Sequence, residues 1–397
     1  MKVLQINSIY PVKSTGRIVS QISDIQKNNG IEAFVACGES LVSDKNIFTL
    51  GSPLYTKINI LKTRLFGKHG FYNKSATKKL LKWIDKVNPD IIHLHNIHGH
   101  YINVKLLFKY IKSRKIPVVW TLHDCWAFTG HCAHFDYKGC DGWLKGCGNC
   151  PMQKSYPVSL FFDRSKGNYK DKKALFTNVE KMHIVTPSEW LKGLCEKSFL
   201  GQYPVTVINN GIDTDIFRPV DSDIRKELGI EGKFVILGII VSFYGYKGGE
   251  YFLKLSKKLS EDEVIVLAGV EEKPENLPEN IIILPKVTDD LRLSQIYSMA
   301  DVFVNPTLQD TFSMVNIEAI ACGTPVITFS SGGADEMLSD ECGVSVSRGD
   351  FEALLRAVKK VKCEGMSADA CRKQALNFKK EDCFIKYLDI YKSVSDI

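Results

Sequence analysis

The sequence has no long apolar run. None of its 397 residues belongs to an uninterrupted stretch of about 18 apolar residues, which is the least that a membrane-spanning helix needs. The first segment, residues 2 to 9, also lacks the basic start, the long apolar core and the small-residue cleavage site of a secretory signal. These absences predict a protein of the cytoplasm or of the inner face of the membrane.

A dinucleotide-binding fingerprint is absent as well. Residues 11 to 17, between the first predicted strand and helix, contain one glycine instead of Gly-x-Gly-x-x-Gly, so a nicotinamide dinucleotide site is not predicted. Gly16 would still let the backbone approach a ligand closely, and Ser14 or Thr15 could cap the helix. Arg17 could reach a phosphate or remain a surface cation.

Positive charge is concentrated in one stretch of the chain. The net charge is +7, and residues 57–86 contain nine Lys or Arg against one acid, Asp85, interleaved with apolar residues. Such a stretch can lie on an anionic membrane surface, or it can form an ordinary solvated helix face. Because the bias is local and no recognisable motif accompanies it, a nucleic-acid partner is not predicted.

Short apolar runs alternate with amphipathic stretches in both halves of the chain. Helical spacing covers 16–36, 72–87, 248–260, 289–299 and 313–322. The strand-like runs are 3–6, 32–36, 91–95, 118–122 and 183–187, then 234–240, 263–268, 281–284, 302–305 and 325–329. This alternation predicts an α/β fold with parallel sheets, whose ligands lie beyond the carboxyl ends of the strands.

The domain boundaries follow from a turn-rich stretch near residues 207–219. We expect an N-terminal Rossmann-like domain over 1–205, which carries a cysteine-rich insertion near 125–150. A C-terminal Rossmann-like domain follows over 206–376, and a last segment over 377–397.

The segment 310–336 carries the strongest functional signal. Asp310 lies in a polar loop before a short helix, and Glu318 follows eight residues later. Free N–H groups and the positive dipole end at a helix start suit phosphate. A carboxylate one or two turns on can accept from ribose hydroxyls, and the acid in the loop can hold sugar hydroxyls. The segment therefore predicts a nucleoside-diphosphate-sugar site.

The residues from Glu318 to Val326 match Glu-Ala-x-Ala-x-Gly-x-Pro-Val and resemble the retaining glycosyltransferases of the GT-B fold, family 4. In that family a Glu stands where this chain has Asp310. The resemblance extends over essentially residues 1 to 390 and implies two Rossmann-like domains facing across a cleft. It implies that the first domain lies on the acceptor side, that the second binds the nucleotide sugar, and that a last helix over roughly 378–393 crosses back to the N-terminal domain. It implies donor contacts by Gly16, Arg17, Lys247, Asp310, Thr311, Phe312, Ser313, Met314 and Glu318, and no metal for catalysis.

Lys247-Gly248-Gly249 follows the first strand of the second predicted domain. A lysine at this position can stabilise a diphosphate leaving group as a point charge, or it can simply be exposed in a turn. The family pairs this lysine with an arginine five or six residues earlier. Here those positions hold Val241 and Ser242, so the leaving group needs Lys247, backbone amides or another cation.

Two further strand ends carry polar residues. The resemblance places His95, His123 and Asp124 on the acceptor side of the site, with His123 beside the donor sugar. It also makes His123, Asp310 and Lys247 the catalytic set. Either histidine could instead be a hydrogen-bonded core residue.

Five cysteines occur between residues 125 and 150. Cys132, Cys140, Cys147 and Cys150 include one Cys-x-x-Cys pair, and His131 and His134 could substitute as ligands. A structural zinc, free thiols and a redox-sensitive disulfide all remain open. This segment resembles one subgroup of bacterial polysaccharide-assembly transferases.

The resemblance implies that the chain moves a sugar from a nucleoside-diphosphate sugar to a saccharide or polyprenyl-linked acceptor. It suggests a role in capsule, exopolysaccharide or O-antigen synthesis. No covalent nucleophile is evident, and the resemblance implies a front-face displacement with retention. A nucleotide-sugar epimerase and an inactive nucleotide-sugar-binding scaffold are the alternatives.

Overall fold

The computed structural model of the chain describes residues 1–271 and 274–396. Ile397, the last residue of the predicted terminal segment, and residues 272 and 273 of the predicted second domain lie outside this range. None of the helices in the described residues has the length and apolar character needed to cross a bilayer.

The chain divides into two compact units. The first comprises Met1–Asn209 together with the terminal segment from Cys383 onward, and the second comprises Asn210–Asp382. The two divisions therefore fall a few residues beyond the predicted boundaries at 205 and 376. Each unit is built around its own parallel sheet.

The first unit contains a parallel sheet in the order β3-β2-β1-β4-β5-β6-β7. Its strands are mostly buried on both faces, which is why β4 and β5 are predominantly apolar in the sequence. The strands are β1 Lys2–Tyr10, β2 Glu32–Ser40, β3 Ile47–Thr49, β4 Ile91–Leu94, β5 Val118–Thr121, β6 Met182–Thr186 and β7 Val205–Val207. The helices are α1 Lys13–Asn28, α2 Pro53–Phe66, α3 Lys74–Val87, α4 Val104–Arg114, α5 Gly142–Lys145, α6 Ser165–Phe176 and α7 Glu189–Lys197.

The second unit repeats this architecture with the sheet order β10-β9-β8-β11-β12-β13. Its strands are β8 Phe234–Ile239, β9 Glu263–Ala268, β10 Ile281–Leu284, β11 Val302–Asn305, β12 Val326–Ser330 and β13 Gly343–Ser347. Its helices are α8 Ile224–Glu227, α9 Glu250–Ser256, α10 Asp290–Ser298, α11 Met314–Ala321, α12 Phe351–Glu364 and α13 Ala368–Ala375. In both units the central strands are parallel neighbours that are distant in sequence, as helical crossovers require.

The terminal segment differs from its prediction as one helix. It forms α14 Lys380–Phe384 and α15 Tyr387–Asp396, separated by a turn. Tyr387 and Tyr391 are buried against the sheet of the first unit, where the Tyr387 hydroxyl lies 2.9 Å from Thr121 Oγ1. These contacts fix the chain terminus to the first unit.

The predicted helical stretch over 16–36 is also wrong at both ends, whereas the strand predicted over 32–36, which overlapped it, is confirmed. α1 begins at Lys13 and ends at Asn28, and residues 32–36 belong to β2 instead. Val12 occupies the N-cap position without a side-chain hydrogen bond, so neither Ser14 nor Thr15 caps the helix. The apolar residues of 31–36 pack in the sheet, and this burial decides their conformation.

Candidate functional site

Lys247 and Asp310 form an ion pair in the second unit. Lys247 Nζ donates to Asp310 Oδ2 at 2.8 Å, with the lysine half-exposed and the aspartate largely covered. Burial alone would lower the pKa of Lys247, but the nearby Asp310 carboxylate outweighs it and leaves the pKa raised. Two of the three predicted catalytic side chains are therefore in direct contact.

A tight glycine turn positions Lys247. Gly248 has φ +74°, and a Cβ added to it would lie 1.8 Å from the carbonyl oxygen of Pro306. The Leu308 N–H donates to the Tyr246 carbonyl at 2.6 Å, which joins the turn after β8 to the loop after β11. Since only glycine permits this approach, the Lys-Gly-Gly sequence is needed to bring the lysine to the Asp310 loop.

A second glycine holds the backbone of Asp310. Gly332 has φ +69°, and a Cβ there would lie 2.0 Å from the Asp310 carbonyl oxygen. The Gly333 N–H donates to that carbonyl at 2.9 Å. Asp310 Oδ1 in turn accepts from the Thr311 N–H at 2.9 Å. The loop after β12 therefore fixes the backbone of Asp310, and the N–H of the next residue along the chain holds its side chain.

Buried amides hold the start of α11. Asn305 Nδ2 donates to Ser313 Oγ at 2.9 Å and to Asn316 Oδ1 at 2.8 Å, and Asn316 Nδ2 donates to the Ala334 carbonyl at 2.7 Å. The Ser313 hydroxyl makes no capping bond to the helix. The first N–H groups of α11 therefore have no side-chain cap and suit an anion.

Glu318 is held by a tyrosine that the sequence did not indicate. The buried Tyr297 hydroxyl on α10 donates to Glu318 Oε2 at 2.8 Å. Burial, and then the Glu318 charge, raise the pKa of Tyr297 well above its usual range, so the hydroxyl remains a donor. One carboxylate oxygen is thus fixed, and Glu318 itself is only partly buried.

The other predicted donor residues of the loop differ in burial. Thr311, Phe312 and Ser313 are buried, and Met314 is partly buried. Phe312 packs in the core, with its ring centroid 6.0 Å from that of Phe378. A direct contact between Phe312 and a donor would therefore have to use its backbone.

Gly16 and Arg17 lie in the first unit and belong to the first turns of α1 rather than to a loop. Gly16 is buried, and a Cβ there would lie 3.0 Å from the Ile9 carbonyl oxygen, so α1 packs closely on the end of β1. Arg17 is exposed.

Two of the predicted acceptor-side histidines form a hydrogen-bonded chain. His95 Nε2 lies 3.0 Å from Gln5 Oε1, and His95 Nδ1 lies 3.1 Å from His123 Nε2. Because the Gln5 oxygen only accepts, His95 carries its proton on Nε2 and accepts from His123 Nε2–H. Burial lowers the pKa of His95 well below its usual range and that of His123 to about 4, so both rings are neutral near pH 7.

Asp124 is an ionised carboxylate beside this chain. Its Oδ2 lies 2.8 Å from His98 Nε2, and its Oδ1 accepts from the Trp126 N–H at 2.8 Å. Burial would raise the pKa of Asp124, but His98 and the Trp126 N–H outweigh it and lower the pKa to about 2. His95, His98, His123, Asp124 and Trp126 line one cavity of about 10 Å³ at the carboxyl ends of β4 and β5.

Lys172 supports the segment after β5. It is fully buried, donates from Nζ to the carbonyls of Trp126 at 2.7 Å and Thr129 at 3.0 Å, and lies 3.6 Å from the Trp126 ring centroid. Burial lowers its pKa to about 7, against the opposing effect of Cys132, Cys147 and Asp124. A buried cation in this position was not predicted from the sequence.

The four predicted zinc ligands line a common cavity of about 20 Å³. The cysteines of the described residues are free thiols. Within residues 1–271 and 274–396, no three His, Cys, Asp or Glu side chains already stand in an arrangement that could hold a metal ion. The predicted zinc therefore stays a prediction.

Several residues near these sites escaped the sequence analysis. Tyr297, Gln5 and Lys172 act through partners that are distant in the chain. Two further residues were not predicted. Buried His69 accepts from the Gly99 N–H at 3.0 Å, and Arg348 Nη1 lies 3.4 Å from the Leu308 carbonyl. Arg348 follows β13, and its contact with Leu308 brings a cation to the loop that contains Asp310. The chain lacks the arginine that the family has near Lys247. No local motif marks any of these residues.

Two family models match the chain. The model described as "Glycosyltransferase Family 4" matches residues 17–216, and the model described as "Glycosyl transferases group 1" matches residues 233–362. Together they cover most of both units.

A relative and two solved structures are similar over most of their lengths. An Escherichia coli K12 protein named as a colanic acid biosynthesis glycosyl transferase, WcaC, is 27% identical over 76% of this chain and 74% of its own length. Sucrose-phosphate synthase of Thermosynechococcus elongatus has a TM-score of 0.69 at 16% identity, covering 99% of this chain and 98% of that one. Anabaena HepE, solved with UDP-glucose, has a TM-score of 0.67 at 14% identity over 100% of both chains.

Proposed function

Since the chain belongs to glycosyltransferase family 4 and has the GT-B fold, we propose that it is a retaining hexosyltransferase of cell-surface polysaccharide synthesis. Its donor is a nucleoside-diphosphate sugar, and its acceptor is a saccharide or a polyprenyl-linked saccharide. The observation that carries this proposal is the Lys247–Asp310 pair beside the uncapped start of α11, with Glu318 about one turn further on.

Each part of this arrangement fits one part of the donor. Lys247 and the first N–H groups of α11 bind the diphosphate, and the Glu318 carboxylate accepts from the ribose hydroxyls. Asp310 accepts from hydroxyls of the hexose. Anabaena HepE was solved in complex with UDP-glucose, which supports a nucleoside-diphosphate sugar here without fixing the base or the sugar.

The transfer step is a displacement on one face of the sugar. The bond between the anomeric carbon and the phosphate oxygen breaks, and the bond to the acceptor oxygen forms on the same face. The acceptor proton passes to the departing phosphate oxygen, so the step needs no protein nucleophile. Lys247 stabilises the charge that develops on the diphosphate, and this interaction strengthens as the bond breaks.

The first unit supplies the acceptor side. The neutral His123 has its Nε2 proton committed to His95, so its other nitrogen is a hydrogen-bond acceptor suited to a sugar hydroxyl. The ionised Asp124 adds a second acceptor at the same strand ends. The name of the WcaC relative supports a role in polysaccharide synthesis.

One surface of the first unit suits contact with the membrane that would carry a polyprenyl-linked acceptor. A groove of about 970 Å³ runs beside α2, α3 and α4, and its lining includes Lys62, Lys74, Lys78, Lys105 and Lys109. Nearby on α2, Leu54, Tyr55, Leu61 and Phe66 expose half or more of their side chains. Basic and apolar groups side by side suit an anionic bilayer, so this face contacts the inner surface of the membrane.

Donor binding tests the proposal directly. The purified chain is titrated with UDP-, GDP-, ADP- and dTDP-sugars by calorimetry, with and without EDTA. We expect selective binding that is insensitive to EDTA and is lost in Lys247→Ala and Glu318→Ala. Lys258→Ala, which removes an exposed lysine from the same unit, is the matched control and should bind as the parent does.

Turnover then distinguishes transfer from its alternatives. A transferase consumes the bound donor rapidly only when a saccharide acceptor is added, and the product keeps the anomeric configuration of the donor. Isomerisation of the donor sugar without an acceptor would indicate an epimerase instead. Failure to bind any of the nucleotide sugars would overturn the donor-site assignment.

A further inference from the structure

The insertion after β5 brings the four cysteines of 132–150 to one point. Cys132, Cys140, Cys147 and Cys150 line a single cavity of about 20 Å³. The thiols of Cys132 and Cys150 are in hydrogen-bond contact. A cavity of this size accommodates one small ion or one water molecule but no organic ligand.

Backbone N–H groups point at two of these sulfurs. The Gly130 N–H donates to Cys147 Sγ at 3.2 Å, and the Met152 N–H donates to the sulfur of Cys150. Hydrogen bonds of this kind favour the thiolate over the thiol, and it is the thiolate that binds metal. The surrounding fold therefore suits negative charge on the sulfurs.

An unpartnered nitrogen lines the same cavity. His131 is only 5% exposed, and its Nε2 has no hydrogen-bond partner among the described residues. Leaving a buried ring nitrogen unsatisfied costs free energy unless something in the cavity interacts with it. This atom is an observation independent of the cysteines, and it can replace one of the four sulfurs as a zinc ligand.

A buried cation stands next to the cluster. Lys172 donates to the Thr129 carbonyl, and the adjacent Gly130 N–H donates to Cys147, so the ammonium and the sulfur share one segment of backbone. A zinc ion with four thiolates carries a net charge of −2, which a buried ammonium partly neutralises.

We infer that Cys132, Cys140, Cys147 and Cys150 bind one structural zinc ion, which holds the insertion after β5. The sulfurs must turn toward the ion, because no ligand set in the described part of the chain is already in place. The site is closed, so the ion does not take part in the transfer of sugar. It fixes the segment from Asp124 to Cys150, whose first residues line the acceptor-side cavity.

Metal analysis of the intact protein tests this inference. The chain is purified without chelator, passed through a desalting column and analysed by mass spectrometry for metals. We expect one zinc per chain in the parent, and less than a tenth of that in Cys147→Ser and Cys150→Ser. Cys363→Ser, at an exposed position, and Cys37→Ser, at a buried position outside the cluster, should keep their zinc.

A measurement on the unaltered chain guards against variants that fail to fold. The parent protein is stripped with a chelator under reducing conditions and titrated with Co²⁺. One equivalent should produce a thiolate-to-cobalt charge-transfer band, and zinc should abolish it. A parent that contains no zinc and gives no such band overturns the inference, as does a Cys132–Cys150 disulfide in the freshly purified protein.

Discussion

Lys247 Nζ and Asp310 Oδ2 lie 2.8 Å apart, so the cation proposed to bind the diphosphate is paired with the carboxylate proposed to hold the sugar. The pair is partly exposed and contributes little to stability by itself. Its importance lies in binding, because Asp310 reduces the attraction that Lys247 exerts on a phosphate. Lys247 should therefore strengthen binding of the diphosphate, whereas Asp310 should weaken binding of the diphosphate and strengthen binding of the sugar.

Asp310→Ala tests this opposition. Removal of the carboxylate frees Lys247, so the affinity for a nucleoside diphosphate should stay the same or increase. The added affinity that comes from the hexose should be lost, and the transfer rate should fall by about 10²-fold or more. Calorimetry with the diphosphate and with the sugar nucleotide measures both effects.

Lys247→Ala is the matching variant and should weaken binding of both ligands. If Asp310→Ala weakened binding of the diphosphate as much as Lys247→Ala does, Asp310 would act by positioning Lys247 rather than by holding the sugar. Asp310→Asn keeps the shape without the charge and separates the two explanations further.

Tyr297→Phe should impair recognition of the ribose. The hydroxyl donates to Glu318 Oε2 at 2.8 Å, and a hydrogen bond to a charged group contributes roughly 1.5–3 kcal/mol. Binding of the sugar nucleotide should weaken by about 10-fold or more, because Glu318 then loses its fixed orientation. Affinities for the ribose and 2′,3′-dideoxyribose forms of the nucleotide should converge in this variant.

Tyr244→Phe provides the comparison, since Tyr244 is 73% exposed in the same unit. It should leave the affinity for each nucleotide unchanged. A Tyr297→Phe protein that discriminates between the two nucleotides as well as the parent does would argue against a ribose contact by Glu318.

The sequence indicated the donor site because its residues lie in local motifs. Lys-Gly-Gly and the segment around Asp310 and Glu318 each follow a strand of the second unit, and parallel strands bring such segments to one sheet edge. Tyr297 could not be found in this way, since it contacts Glu318 from another helix. Residues 32–36 fit both the helical and the strand pattern, and burial in β2 decides for the strand, so the predicted helix was drawn too long at this end.

Gly332→Ala should disturb the site through the backbone. At φ +69° an alanine costs about 1–2 kcal/mol, and its Cβ would also lie 2.0 Å from the Asp310 carbonyl oxygen. The Asp310 loop must move, so we expect weaker binding of the sugar nucleotide in addition to a loss of stability. Denaturant unfolding and calorimetry measure the two effects.

Gly229→Ala is a control in the same unit. Gly229 has a similar φ of +65°, but a Cβ there meets no atom within 4 Å. It should lose only about 1–2 kcal/mol of stability and bind the nucleotide normally. Equal binding by the two variants would show that Gly332 does not position Asp310.

Buried histidines should make the first unit sensitive to acid. Burial lowers the pKa of His93 from 6.5 to about 3 and that of His123 to about 4. Between pH 6.5 and these values the unfolded chain binds protons that the folded chain does not. The free energy of unfolding should therefore fall as the pH falls, by about 1.4 kcal/mol per pH unit for each histidine.

His93→Gln isolates the contribution of one histidine to this pH dependence. His93 lies 2.8 Å from both Tyr391 Oη and Thr121 Oγ1, so the variant should be less stable at pH 7. Its unfolding free energy should nevertheless decline less steeply than that of the parent between pH 6.5 and 4. Urea denaturation across this range gives both curves, and parallel curves would contradict a neutral buried His93.

Leu61→Ser should weaken attachment to an anionic membrane. Leu61 is 56% exposed on α2, beside the groove lined by lysines, so inserting it in a bilayer would bury much of an apolar side chain. Full burial of a leucine contributes about 1.5–3 kcal/mol, so binding to vesicles containing phosphatidylglycerol should weaken by about 10-fold.

Leu291→Ser is the control for this prediction. It changes a leucine that is 54% exposed in the second unit and should bind the vesicles as the parent does. High salt should weaken binding of the parent protein to these vesicles, because the lysines attract the anionic headgroups and salt screens that attraction. A parent protein that fails to sediment with these vesicles at low salt would exclude the membrane contact, and would leave the basic surface as an ordinary solvated face.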